Sequence, residues 1–149
     1  MIRTPRKSAT VFEIAWQAGK SAPEDVRGFM ERQYVEALGR IGSVEARGIL
    51  VRRIEQPGDS PDVIDDLRIL RDLATPDLEE WLLDLLDSSH LQSSINRCWV
   101  ISILERVGTT QSISTLSPLL HGSLPDVRQA AFRAIRDIRA RCDEVWLGN

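Results

Sequence analysis

His90 and His121 are the only histidines in the chain, and His90 is followed by Leu91 and His121 by Gly122. A helical metal site needs a second ligand at i+4 or a paired His-Glu motif, and neither histidine has one. The adjacent carboxylates Asp65-Asp66 and Glu79-Glu80 suggest acid and base pairs. On a helix, however, consecutive side chains diverge by about 100°, so such pairs do not face each other and read as a solvated acidic face. Ser-His-Asp, Cys-His and Gly-x-Gly-x-x-Gly arrangements cannot be assembled from the sequence, which removes the usual nucleophiles and phosphate cradles. Cys98 and Cys142 each sit within an apolar helical pattern and read as small core residues of a reducing compartment. The expectation is a protein without catalysis, metal or cofactor, acting by binding.

Charge layout then says where binding is to be sought. The 149 residues carry a net charge of −3, with 42% hydrophobic and 28% charged residues. Between Asp59 and Asp87 ten acids stand against two arginines, Arg68 and Arg71. That segment repels phosphates and argues against nucleic acid as a partner. Trp81 and Asp84, one turn apart inside it, therefore read as a core aromatic and a surface acid. No apolar run reaches the roughly 18 to 20 residues of a membrane helix, and the N-terminus has no signal-type hydrophobic stretch, so no membrane partner and a cytoplasmic location are expected.

Such residues need elements to hold them, and the apolar pattern supplies helices. Leu38, Leu70, Leu104 and Ile135 recur at steps of 32, 34 and 31, and Leu50, Leu82 and Leu116 repeat the steps of 32 and 34. A period of that size marks repeated helical hairpins. Gly42 and Gly108 follow two of the first-helix endings and suit a left-handed helix terminus. The predicted spans are a leading helix in 8–22 behind a flexible basic segment 1–7, then Pro23–Ile41, Val44–Glu55, Pro61–Leu73, Pro76–Asp87, Leu91–Val107, Thr110–His121 and Pro125–Arg141. Residues 142–149 form a tail or cap, and 1–149 read as one domain with repeats over 23–141. Ala46, Ile49, Leu50 and Ile54 correspond to Leu78, Trp81, Leu82 and Leu86 as a buried stripe. The helix holding Cys98-Trp99-Val100-Ile101 reads as the heart of the core.

The segment Leu124-Pro125-Asp126-Val127-Arg128-Gln129-Ala130-Ala131-Phe132-Arg133-Ala134-Ile135, with the ending Ala37-Leu38-Gly39-Arg40-Ile41-Gly42, resembles HEAT-like repeats of the phycobilin-lyase-like type. The resemblance covers about Pro23 to Arg141. It implies an all-α superhelix of antiparallel hairpins, with Asp126 at a helix N-terminus and Arg128 reaching towards the neighbouring repeat. Iron hydroxylases of this architecture need His-Glu pairs, which are missing here. In such solenoids the second helices line the concave side, which aligns Gly48, Glu80 and Ser114; Arg52, Asp84 and Pro118; and Glu55, Asp87 and His121. Acid dominates the middle of those columns, so the expectation is an adaptor that holds a basic protein or peptide on Arg52, Glu55, Glu80, Asp84 and Asp87. An antitoxin or immunity-type inhibitor of a basic toxin, and a phycobilin-lyase-like or chaperone-like accessory protein, are the alternatives. Phe12, Ile14 and Trp16 are expected to cap one end of the stack. Val145-Trp146-Leu147 either cap the other or leave it open to a second copy.

Overall fold

The computed structural model describes residues 24–56, 63–88, 91 and 93–147. Over them the protein is all-helical, with helices α1 (Glu24–Ile41), α2 (Val44–Glu55), α3 (Ile64–Leu73), α4 (Glu79–Asp87), α5 (Ser94–Val107), α6 (Thr110–Leu116) and α7 (Pro125–Leu147), and no strand among the described residues. Short 3-10 turns at Pro76–Leu78 and Ser117–His121 precede α4 and follow α6. None of these helices is long and apolar enough to cross a membrane. They fall into two compact units, divided between Leu73 and Ala74. The expected leading helix in 8–22, the basic segment 1–7, residues 57–62 of the expected loop and His90 lie outside the described residues.

In the first unit, α1 closes on Gly42, whose φ of +61° is the left-handed conformation that a residue without Cβ adopts at no cost. Its N–H donates to the Leu38 carbonyl at 3.0 Å. Ser43 then opens α2 at once, its hydroxyl accepting from the Ala46 N–H at 3.1 Å. Asp65 and Arg68 of α3 pair with Arg32 and Glu36 of α1, and Gly39 and Gly42 face Ile69 and Leu73, so α1 and α3 run parallel. A Cβ on Gly39 would come within 2.7 Å of Ile69 Cγ2, so glycine permits this approach. Leu38, Leu50, Leu67 and Leu70 are fully enclosed.

In the second unit, α5 and α7 are the parallel pair. Near its start α5 places Cys98 within electrostatic range of Asp126 and Arg133, and at its end Arg141 donates to the carbonyls of Glu105 (2.8 Å) and Gly108 (2.6 Å). The arginine thereby satisfies carbonyls that the end of α5 leaves open. Leu82, Leu104, Leu116 and Ile138 are fully enclosed here. Burial of each leucine is worth about 1.5–3 kcal/mol.

Several expectations need correction. Gly108 is not left-handed: its φ is −70°, and it is small because a Cβ would meet the Leu104 carbonyl at 2.6 Å, the Ser112 hydroxyl at 2.7 Å and Ile138 at 3.1 Å. Among the described residues Arg128 turns back, rather than across to another helical pair, and donates to the Gly122 carbonyl at 2.7 Å, closing the turn that leads into its own helix. Residues 142–147 are not a separate tail, because α7 continues through them. The side chains of Val145, Trp146 and Leu147 lie outside the described residues. Helix α5 is not enclosed all round: Ile95 is exposed, and Cys98 and Trp99 are half-buried. Both cysteines are free thiols, half-buried rather than part of the core, and burial followed by the Asp126 carboxylate pushes the Cys98 thiol up. Trp81 and Leu78 are likewise half-buried, the pattern of amphipathic residues at the margin of a core.

Candidate partner-binding surface

The acidic run resolves into two kinds of carboxylate, and the distinction is set by helix phase. Asp66 lies on the stripe of Val63, Leu67 and Leu70 and is buried with them, 3% exposed. Arg53, from the last turn of α2, donates to it through Nε at 2.7 Å and also lies 5.4 Å over the Tyr34 ring. Burial pushes the Asp66 carboxyl up from its ordinary value, and the charge and hydrogen bond of Arg53 only partly offset it.

Glu79, on the stripe of Leu82, Leu83 and Leu86, is also buried. Its Oε1 accepts from the Thr109 N–H at 2.7 Å, the Thr109 hydroxyl at 2.9 Å and the Ser112 hydroxyl at 2.7 Å. Thr109 is the N-cap of α6 and Ser112 its third helical residue. In a capping box a glutamate at that third position reaches back to the N-cap N–H. Serine is too short for this, and Glu79 of α4 takes the role from outside the helix. Burial raises the Glu79 carboxyl, but the hydrogen bonds from Ser112 and Thr109 outweigh it and hold the group below the usual carboxylate value. Asp66 and Glu79 are therefore structural, contrary to the expectation of a solvated face for both pairs.

The five residues predicted to bind the partner are all exposed. Glu80, Asp84 and Asp87 stand at i, i+4 and i+7 on α4, opposite its buried face, all three exposed. None of them forms an ion pair with a described residue. The N-terminus of α6 lies beside that of α4 through the Glu79 contact, and α6 carries no charged side chain. Ser114, Pro118 and His121, aligned with the three acids in sequence, are exposed as well. Arg52 and Glu55 are exposed at the end of α2, in the first unit, while the three acids belong to the second. The structure thus brings together Glu80, Asp84 and Asp87 as one row of the second unit, and Arg52 and Glu55 share the end of α2 in the first. Leu38, Leu70 and Leu104 are core residues, and Asp126 is exposed in the first turn of α7.

No group of three or more His, Cys, Asp or Glu among the described residues is placed to hold a metal ion. What sequence reasoning missed is the Tyr34–Arg53–Asp66 cluster and the Glu79–Thr109–Ser112 cluster. Both acids fall on the apolar stripe of their helix, a signal that could have found them, whereas their partners, 13 to 33 residues away, leave none. Comparison with models of protein families, with curated proteins and with solved structures finds no match to this chain.

Proposed function

We propose that this chain is a HEAT-like helical repeat protein that acts by binding, and that it docks a basic peptide or protein patch on the acidic row of α4. The parallel packing of alternate helices within each unit and the steps of 32 and 34 between enclosed leucines support the repeat reading. The observation that carries the binding reading is the row Glu80, Asp84 and Asp87, exposed, of one sign and unpaired among the described residues, beside an uncharged helix. Electrostatic complementarity of this kind raises on-rate and selectivity more than affinity.

The test is fluorescence anisotropy with a labelled arginine-rich peptide and an acidic peptide of equal length. The native chain binds the basic peptide in a salt-sensitive manner and ignores the acidic one. Reversal of the row in the triple variant Glu80→Lys, Asp84→Lys and Asp87→Lys weakens binding by at least about tenfold. Reversing three other exposed acids, Asp126, Asp143 and Glu144, changes the net charge equally and leaves most of the affinity. Equal loss in the two variants sinks the proposal, because binding then follows net charge and not this row.

A further inference from the structure

Helix α7 has an inner and an outer face. Val127, Ala130, Ala131, Ala134, Ile135 and Ile138 are buried along the inner one. On the outer one Phe132 is 60% exposed, and Arg136 and Arg139 follow it at i+4 and i+7, both exposed. Arg133 is exposed beside them. Arg136 contacts Asp137 through Nε alone, at 3.0 Å, which uses one of its five N–H donors. A phenylalanine held in water among arginines has the composition of a docking surface rather than of a solvated helix face, where lysine and glutamate prevail.

The acidic row of α4 has the same spacing. Glu80, Asp84 and Asp87 span the same number of residues as Phe132, Arg136 and Arg139, about 10 Å of helix. Arg136 and Arg139 are opposite in sign to the acids, and the two rows are equal in rise and carried by one unit of one chain, where both remain exposed. We propose that the outer face of α7 docks on the acidic row of α4 in a second copy of this chain. The proposal rests on the reading of α4 as a face for a basic partner and names that partner's source. Because the two surfaces differ, each contact leaves one row unused on either copy, and association continues beyond the dimer into a ring or a filament. A contact of this size is weak and depends on salt.

The test is sedimentation velocity on the full chain over a range of concentrations, at about 0.05 M and about 0.5 M salt. The native chain associates at low salt and dissociates at high salt. A variant with Arg133→Gln, Arg136→Gln and Arg139→Gln is monomeric, as is the variant with Glu80→Gln, Asp84→Asn and Asp87→Asn, each with unchanged helical circular dichroism. Mixing the two gives a one-to-one dimer and nothing larger, since only one productive contact survives between them. A native chain that stays monomeric at low salt, an arginine-face variant that still assembles, or a mixture that yields no dimer would each overturn the proposal. If the native chain stays monomeric yet binds the basic peptide, the proposed function stands and this inference alone falls.

Discussion

The two units hold their parallel helices by different chemistry. In the first, α1 and α3 are linked by side-chain ion pairs, Arg32 with Asp65 and Arg68 with Glu36, and α2 is tied to α3 by the buried pair of Arg53 and Asp66. In the second, Glu79 ties α4 to backbone and hydroxyl groups at the start of α6 and Arg141 ties α7 to carbonyls at the end of α5, beside a side-chain hydrogen bond between Asp137 and Glu105. The exposed pairs of the first unit are screened by salt and worth little each. The contacts of the second complete helix ends that would otherwise lack partners, so their loss leaves unmet groups behind. Around similar apolar packing, the polar ties are thus ion pairs in one place and mainly helix-end caps in the other.

The largest effect common to both units comes from the apolar core. Leu70→Ala in the first and Leu104→Ala in the second, both fully enclosed, each cost about 2–5 kcal/mol in urea unfolding. A loss near zero at either site means that its core is misassigned. Next, Glu79→Gln costs about 1.5–3 kcal/mol near neutral pH, because it replaces a charged acceptor of three hydrogen bonds.

The pH dependence gives this comparison its sign. Glu79 has a lowered carboxyl pKa, so its contribution is present above the unfolded value and is lost as pH falls through the folded one. Asp66 has a raised pKa, so its contribution is fully present below the unfolded value and is lost as pH rises through the folded one. Subtracting the pH profile of Glu79→Gln from the native profile therefore leaves a difference that shrinks on acidification. Subtracting that of Asp66→Asn leaves a difference of the opposite slope. Two differences of the same slope would show that the two carboxylates are held alike.

Glycine substitutions sharpen the contrast on a smaller scale. Gly42→Ala costs about 1–2 kcal/mol, since its φ of +61° forces a side chain into the left-handed region. Gly48→Ala, inside α2 with nothing within 4 Å of a Cβ, stabilises by about 0.5–1 kcal/mol. Opposite signs in thermal melts confirm the assignment of one as a terminus and the other as helix interior. Smallest per site are Glu80→Lys, Asp84→Lys and Asp87→Lys, each of which changes stability by no more than about 0.5 kcal/mol, as expected of exposed positions.

Periodicity made the helices and their cores legible. The two leucine series picked out by spacing, Leu38, Leu70 and Leu104 and then Leu50, Leu82 and Leu116, are all fully enclosed. Helix starts were less legible: α3 begins at Ile64 and α5 at Ser94, later than predicted at Pro61 and Leu91. The exposed row on α4 was legible because three acids at i, i+4 and i+7 must share a face. Asp66 and Glu79 were misread because charge composition was weighed over helix phase. Gly108 was misread because its crowding comes partly from Ile138, which is distant in sequence.

The contact of Glu79 also bears on the order in which the chain assembles. Its donors, Thr109 and Ser112, lie 30 and 33 residues downstream. If α4 turned its inner face to the core before they arrived, an ionised carboxylate would be dehydrated with nothing to replace its water. The first turn of α6 and the docking of α4 are therefore expected to form together, across a loop whose closure entropy must be met in the same step. One buried acid is thus expected to couple two separate helices in folding.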